Sequence, residues 1–312
     1  MCIRDRERTI PEISLNKGSF IRVFFADFNQ DGKVEVVAAN KGAENPKVKD
    51  APLNNISIYQ LPQDPLEGSK WKELVLTQVR IPINSQPVDL DLDGDMDIVV
   101  GSRGEKRILW LENLGNFKFT EHDINLSTDI EKGSWITGFN MDYADLNGDG
   151  RLDIVSSVWP SSVYALFQPA EPKDEWNIKK IGSIAPDLLV SVSLADIDGD
   201  GDKDIFSGSY SLGSRDKDDG NTSNKAFGSV VWFENKNSRW LKNNILRRKR
   251  GMYDKWIPLD VDKDGDVDFL GTRGNSKPYD GVIWLEQTRS KEQNSVFIQA
   301  RSKDSESVPF ID

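Results

Sequence analysis

The stretch that decides the fold is residues 260–268, Asp-Val-Asp-Lys-Asp-Gly-Asp-Val-Asp. Oxygen-bearing side chains occupy its positions 1, 3, 5 and 9, and a glycine occupies position 6. Alternate residues of a tight loop point to the same side, so three carboxylates converge, and the glycine permits the turn that returns the ninth residue. Ca²⁺ binds several oxygen ligands at about 2.3–2.6 Å, whereas clustered carboxylates without a cation repel one another. The stretch therefore predicts a calcium-binding loop.

The same pattern occurs five times, in segments named here loop 1 (27–35), loop 2 (89–97), loop 3 (145–153), loop 4 (196–204) and loop 5 (260–268). Their first aspartates stand about 50–65 residues apart, a period that indicates a repeat architecture. We expect about five Ca²⁺ per chain. The predicted side-chain ligands at positions 1, 3, 5 and 9 are Asp27, Asn29, Asp31, Glu35, Asp89, Asp91, Asp93, Asp97, Asp145, Asn147, Asp149, Asp153, Asp196, Asp198, Asp200, Asp204, Asp260, Asp262, Asp264 and Asp268.

Position 7 varies widely in character among the loops. A lysine or an arginine is tolerated there if the residue ligates through its main-chain carbonyl and its side chain faces water. The predicted carbonyl ligands are Lys33, Asp95, Arg151, Asp202 and Asp266. Asn29 and Asn147 each remove one charge at position 3, so loops 1 and 3 should bind the cation more weakly. Glu35 replaces the shorter aspartate at position 9, so loop 1 departs most from the common geometry.

The loops differ from EF-hands, which need a bidentate glutamate at position 12 between two helices. Here position 12 is an alanine, valine, serine or glycine. The residues that follow the loops are β-branched, as in Ile98-Val99-Val100, which favours strands. We therefore predict that each loop joins two strands.

Each repeat has two further strands. Apolar runs predict the third strand at 56–61, 108–113, 163–168, 230–235 and 282–287, and an aromatic residue five positions before an isoleucine marks a fourth. Four short strands per repeat are typical of a β-propeller blade. The predicted fold is all-β, a β-propeller of four-stranded blades with five complete repeats at 20–81, 82–126, 133–182, 188–247 and 252–300.

Partial blades are expected at both ends of a single domain, 8–312. Residues 10–15 resemble a fourth strand, and residues 307–312 resemble a first strand that ends on the first ligand of another loop, Asp312. The chain is thus interpreted as a fragment of a six- or seven-bladed propeller within a longer protein. The alternative is one split blade closed by the two termini. Residues 1–7 fit no repeat and are interpreted as a leader or sequence scar.

Composition narrows the function classes. The formal net charge of −11 argues against nucleic-acid binding, and five bound Ca²⁺ would bring it to about −1. The single cysteine, Cys2, excludes an internal disulfide. No stretch approaches 18 apolar residues, so no membrane span is predicted.

The five loops and their flanking strands resemble the FG-GAP or VCBS repeat family, whose blades are similar to those of the integrin alpha-chain propeller. The resemblance covers residues 20–300. It implies calcium ligands at positions 1, 3, 5 and 9 and at the carbonyl of position 7. It does not choose a function, since family members include adhesion modules, lectins and domains attached to polysaccharide lyases.

The resemblance places the ligand-binding face opposite the calcium loops, where long connections run at 41–55, 211–228 and 272–280. Trp135 and Trp159 should lie toward that face, where an aromatic ring can stack on a sugar or anchor a protein. Blade-to-blade packing is the alternative for both. The tryptophans of the third strands, Trp110, Trp232 and Trp284, are expected to pack between blades.

No catalytic residue is predicted. His122 is the single histidine and is expected at the surface, with no nucleophile elbow around it. The leading hypothesis is an extracellular, cell-surface or periplasmic module that binds a protein or glycan without catalysis. The alternatives are the propeller domain of a polysaccharide-active, lyase-like enzyme and a structural spacer in a larger surface protein.

Overall fold

The computed structural model describes residues 17–43, 47–128, 130–212, 226–236, 239–275, 280–288 and 306–310. Within these ranges the chain is all-β, with 3₁₀ turns at Val48–Asp50 and Gly68–Lys70 and no α-helix. The predicted leader, the strand predicted at 10–15 and Asp312 lie outside the described residues. The chain divides after Ile124 into two compact units.

Unit 1 contains two four-stranded sheets. In each, the strands follow one another in chain order and every neighbouring pair is antiparallel. Sheet A comprises β1 (Phe20–Ala26), β2 (Glu35–Asn40), β3 (Leu53–Gln60) and β4 (Lys72–Arg80). Sheet B comprises β5 (Pro82–Val88), β6 (Asp97–Ser102), β7 (Arg107–Asn113) and β8 (Phe119–Asp123).

Unit 2 contains two four-stranded sheets and one three-stranded sheet with the same consecutive antiparallel order. Sheet C comprises β9 (Trp135–Ala144), β10 (Asp153–Trp159), β11 (Ser162–Phe167) and β12 (Asn177–Ser183). Sheet D comprises β13 (Leu188–Ala195), β14 (Asp204–Tyr210), β15 (Gly228–Lys236) and β16 (Arg239–Arg248). Sheet E comprises β17 (Trp256–Leu259), β18 (Asp268–Arg273) and β19 (Gly281–Leu285).

The cores lie between successive sheets of a unit. In unit 1, Val37 and Ile56 on one face of sheet A belong to the same buried cluster as Val100 and Leu109 of sheet B. Alternate residues of a strand point to opposite faces, so each central strand supplies apolar side chains to both sides. The second strands are buried throughout their length in sheets A and B.

In unit 2, one cluster joins sheets C and D, with Val163 and Val192 among its members. A second cluster joins sheets D and E, where Phe206 of β14 stacks on Phe269 of β18 with ring centroids 3.6 Å apart. Trp256 of β17 is fully buried in that cluster. The sheets of each unit are therefore held together face to face by apolar side chains.

Two expectations, the burial of Trp284 and a first strand at the C-terminal end of the chain, differ from the structure. Trp110 is buried, but Trp284 of β19 is 45% exposed, because the described residues place no further sheet against that face of sheet E. The segment 306–310 does not run as a first strand. Ser307 forms an isolated bridge with Arg248 at the end of β16, and the Val308 N–H donates to the carbonyl of Arg247 over 3.0 Å.

Candidate metal centres in the acidic loops

Each acidic loop joins the first strand of its sheet to the second, as predicted. Position 1 directly follows the first strand, and position 9 is the first residue of the second strand in all five sheets. Because the two strands are antiparallel neighbours, the loop closes a hairpin and returns its ninth residue to its first. All ligands predicted for one cation thus come from one hairpin.

The backbone of the loop is organised by its own acidic and amide side chains. In all five loops the position-6 N–H donates to the position-1 carboxylate over 2.7–3.2 Å. The position-5 N–H donates to position 3 over 3.0–3.4 Å, and the position-7 N–H donates to position 5 over 2.8–3.1 Å. Each carboxylate has a second oxygen, and that oxygen can face the centre of the loop.

Two left-handed residues shape the turn. The position-6 glycine has a φ between +83° and +98° in the five loops, a conformation that glycine adopts without strain. Position 4 is also left-handed, which the sequence analysis missed. It is Gly148 in loop 3 and Gly199 in loop 4, but Leu92 adopts the same conformation in loop 2, with a φ of +61°. The two glycines at position 4 were the signal available in the sequence.

Positions 1, 3 and 5 converge in loops 2, 4 and 5. In each of these loops one carboxylate oxygen from each position lies within 4.8 Å of the others. Two ligands on opposite sides of Ca²⁺ are also about 4.8 Å apart, given ligand distances of about 2.4 Å. The converging residues are Asp89, Asp91 and Asp93, then Asp196, Asp198 and Asp200, then Asp260, Asp262 and Asp264.

Two carboxylate oxygens at position 1 support the fit to a cation. Oδ1 of Asp89 and Oδ1 of Asp260 are buried and accept no hydrogen bond from the described residues. A buried carboxylate oxygen without a partner is costly, and a cation at the loop centre would supply the missing interaction. The residues at positions 1, 3 and 5 therefore fit a hard divalent cation.

Loops 1 and 3 carry one carboxylate fewer at positions 1, 3 and 5 than the other loops, because position 3 is an asparagine. The Asn147 amide donates from Nδ2 to Asp149 Oδ2 over 2.9 Å, and Asn29 donates to Asp31 over 3.3 Å in loop 1. In loop 3 the guanidinium of Arg151 also pairs with Asp149. These donors partly neutralise the position-5 carboxylate, so a cation must compete with them.

Position 9 is buried in every loop. Glu35 and the four aspartates at this position are 0–5% exposed, and each accepts the N–H of position 2 over 2.9–3.2 Å. In loops 2 to 5 its other oxygen accepts a backbone N–H from the end of the third strand over 2.7–3.0 Å. The residue therefore ties the loop to two strands in addition to any role as a ligand.

Burial and hydrogen bonds shift the pKa of several loop carboxyls, at position 9 and elsewhere in the loops. Desolvation raises the pKa of Asp97 to about 7 and the pKa of Asp153 and Asp204 to about 6, against the lowering effect of the backbone N–H groups. Desolvation, with neighbouring carboxylates, also raises the pKa of Asp91. For Asp145, burial acts to raise the pKa, but backbone N–H groups led by that of Gly150 hold it below the ordinary value.

The position-7 side chains do not all face water. Lys33 and Asp202 are exposed, in line with the prediction, whereas Asp266 is only 6% exposed. Arg151 lies against the loop, where its Nε donates to the carbonyl of Gln168 over 3.0 Å. An arginine is long enough to reach back to the acidic centre, which the sequence pattern did not reveal.

Trp135 and Trp159 come together at the other end of sheet C. They are cross-strand partners at the start of β9 and the end of β10, and their ring centroids are 5.9 Å apart with a 30° angle between the planes. Both are half-buried. The strands separate them from loop 3 by roughly 20–30 Å at the usual rise per residue.

The long connections are described only in part, because 44–46, 213–225 and 276–279 lie outside the described residues.

His122 differs from its expected place at the surface. Its Nε2 lies 2.7 Å from Oε2 of Glu112, and its ring packs against Trp110 with centroids 5.1 Å apart. The reason is the strand register, in which His122 of β8 is paired with Trp110 of β7.

The FG-GAP-like repeat family matches residues 89–156, a segment that begins with loop 2 and contains loop 3. The resemblance to this family is thereby confirmed for that segment. No curated protein sequence matches the chain. Among the described residues, no helix has the length and apolar character needed to cross a membrane.

Three solved structures are similar to this chain at low identity. The biofilm matrix protein Bap1 of V. cholerae shares 17% identity with a TM-score of 0.37, over 82% of this chain and 37% of Bap1. The C-terminal domain of PilY1 of Pseudomonas aeruginosa shares 11% identity with a TM-score of 0.42, over 87% and 60%. The NanB sialidase of Streptococcus pneumoniae, as its K499G mutant, shares 10% identity with a TM-score of 0.40, over 80% and 39%. The chain spans less than two thirds of each of these proteins.

Proposed function

We propose that the acidic loops bind Ca²⁺ and that the chain is a calcium-stabilised binding module whose sheets are blades of a β-propeller. The observation that carries the proposal is the convergence of three carboxylate oxygens within 4.8 Å in loops 2, 4 and 5. The predicted ligands of each loop are its side chains at positions 1, 3, 5 and 9 and its position-7 carbonyl. Oxygen ligands alone favour Ca²⁺ or Mg²⁺ over softer metals, and the flexible carboxylate ring favours the larger Ca²⁺.

Calorimetric titration of the chelator-treated protein with Ca²⁺ and with Mg²⁺ tests this proposal. We expect up to five ions per chain, with loops 2, 4 and 5 filling first because they carry three carboxylates at positions 1, 3 and 5. The matched control changes the carboxylates at positions 1, 3 and 5 of loop 5 to asparagine and should remove one site. Absence of calcium binding at millimolar concentrations would contradict the proposal.

We infer an extracellular, cell-surface or periplasmic location from the calcium affinity expected of such loops. Extracellular calcium modules bind with dissociation constants of about 10⁻⁴–10⁻³ M, a range suited to the calcium concentration outside cells. Cytosolic calcium would leave such sites empty. Nanomolar affinity, or isolation of the native protein from the cytosol, would oppose this assignment.

The proposed ligand is a protein or a glycan, bound at the end of sheet C opposite loop 3. The Trp135–Trp159 pair supports this, since two adjacent half-buried rings, tilted by 30° to each other, offer apolar faces on a sheet where a ligand can pack. A panel of neutral, amino-sugar and uronic-acid oligosaccharides should quench the tryptophan fluorescence in a saturable manner. Trp135→Ala and Trp159→Ala should abolish the response, and Trp71→Ala, directly before β4 in unit 1, should retain it.

Product release from the same panel separates binding from catalysis. A non-catalytic module binds without releasing shortened products, whereas a polysaccharide-active domain releases them. A purely structural spacer would bind no member of the panel and no protein partner. These outcomes assign the chain to one of the three classes.

A further inference from the structure

In each unit the side-chain amide of one residue connects two neighbouring acidic loops. In unit 1, Asn113 is the last residue of the third strand of sheet B, and its own N–H donates to Oδ1 of Asp97, position 9 of loop 2, over 2.7 Å. Its side-chain Nδ2 donates over 2.9 Å to the carbonyl of Phe28, position 2 of loop 1. One residue thus holds both loops.

The connection continues through the backbone of loop 1. The N–H of Phe28 donates to Glu35, position 9 of the same loop, over 3.1 Å. Phe28 is fully buried and packs edge-on against Phe119, so its peptide group has little freedom. Three hydrogen bonds, joined by the covalent bonds of Asn113 and Phe28, therefore connect the position-9 carboxylate of loop 2 to that of loop 1.

The same connection recurs in unit 2. Gln287 follows the third strand of sheet E, and its N–H donates to Oδ1 of Asp268 over 2.8 Å, while its Nε2 donates to the carbonyl of Ile197 over 2.9 Å. The N–H of Ile197 donates to Asp204 over 3.0 Å. Loop 5 is thereby joined to loop 4 as loop 2 is joined to loop 1.

We propose that Asn113 and Gln287 couple calcium binding at neighbouring loops, so that loops 1 and 2, and loops 4 and 5, fill cooperatively. The proposal rests on the calcium binding proposed above. A cation fixes the conformation of its loop, and through position 9 it fixes the amide residue. The amide then holds position 2 of the preceding loop, next to that loop's first ligand. Such coupling is reciprocal and typically changes affinity about 5–150-fold.

The test measures each loop separately in the full chain. The position-6 amides of Gly32 and Gly94 donate to the position-1 carboxylates, so their NMR signals report calcium at loops 1 and 2. Loop 2 is disabled by changing Asp91 and Asp93 to asparagine. We expect the half-saturation concentration of loop 1 to rise about fivefold or more.

In the Asn113→Ala background, disabling loop 2 should change the half-saturation concentration of loop 1 less than twofold. Asn54→Ala is the matched control, because Asn54 lies in the same unit and its amide donates to the carbonyl of Pro52, away from the loops. Gln287→Ala, followed at Gly201 and Gly265, repeats the test in unit 2 if Asn113→Ala does not fold.

The outcomes separate this inference from the proposed function. If loops 1 and 2 bind calcium with the same affinity whether or not the neighbour is intact, the coupling is wrong and calcium binding stands. If the dependence persists in full with Asn113→Ala, the assignment to the amide is wrong. If none of the position-6 amides responds to calcium, both proposals are overturned.

Discussion

At the scale of single residues, position 9 of each loop has two functions to reconcile. The sequence pattern identifies it as a ligand, and the structure shows it as a buried acceptor of backbone N–H groups. Asp204, for example, is fully buried and accepts N–H groups of Ile197 and Asn235. Its contribution to folding should therefore be measurable without calcium.

Asp204→Asn should lower the free energy of unfolding by about 1–3 kcal/mol in excess chelator. The asparagine keeps one acceptor, but its NH₂ group faces a buried backbone N–H that then has no partner. Urea unfolding at pH 8, where the native carboxyl is ionised, gives this value.

Asp202→Asn is the control for that measurement, because it makes the same chemical change at an exposed position of the same loop. It should stay within about 0.5 kcal/mol of the native protein. Equal losses for the two variants would show that position 9 does not anchor the loop.

Asn147→Asp should tighten calcium binding at loop 3 about tenfold or more, since it adds a third carboxylate and removes the amide donor to Asp149. In chelator the same variant should be less stable, because like charges then meet without a cation. The Gly150 amide signal reports the affinity. Asn177→Asp, exposed on β12, adds the same charge outside the loop, and an equal effect from it would contradict this explanation.

At the scale of elements, the sequence pattern predicts most of the strands. The loops set the ends of the first and second strands, and apolar runs set the third, such as 108–113 within the observed Arg107–Asn113. The predicted third strand at 282–287 lies at Gly281–Leu285 instead. The pattern succeeds because loop ligands and alternating apolar residues are local properties of the chain.

What the pattern misses depends on contacts between distant residues. The exposure of Trp284, the return of Arg151 to its own loop and the pairing of Ser307 with Arg248 are each decided by what lies nearby in space. Asn113 and Gln287 stand in equivalent places at or just after the end of the third strand, but only the structure shows that their amides reach the preceding loop. A periodic pattern carries no information about such partners.

Gly271→Ala should destabilise the protein by about 1–3 kcal/mol or more, because the new Cβ would lie 2.3 Å from the ring of buried Trp256. Gly274→Ala, directly after the end of the same strand, would place its Cβ at an ordinary 3.5 Å from Met252 and should change stability little. Thermal unfolding of the two variants compares them directly. Similar melting temperatures would show that β17 and β18 are not packed in this way.

At the scale of the whole molecule, calcium should raise the melting temperature in proportion to the occupied sites. A site with a dissociation constant of about 10⁻⁴ M adds about 1.8 kcal/mol at about 2 mM Ca²⁺. Melts with 2 mM Ca²⁺ and with excess chelator measure the total. Magnesium at the same concentration is the control, and an equal melting temperature in calcium and chelator would show that the loops do not stabilise the fold.

Comparing the two units shows which part of the chain a given calcium site stabilises. Unit 1 contains loops 1 and 2, and unit 2 contains loops 3, 4 and 5. A variant with loop 5 disabled should lose stability in unit 2, which hydrogen exchange of the strands can locate. Exchange that increases equally in both units would instead indicate one cooperative body.

The hairpin that contains each loop also determines the order in which the chain can fold. Its two strands and all the proposed ligands of one ion lie within about 25 consecutive residues, so the contacts are local and form early. If the loops bind calcium as proposed, a chain synthesised from its N-terminus can capture an ion in each hairpin before the next repeat is present. Duplication or deletion of a repeat would likewise carry all the proposed ligands of one ion with it, and the apolar packing between sheets and the amide link to the preceding loop would have to be restored.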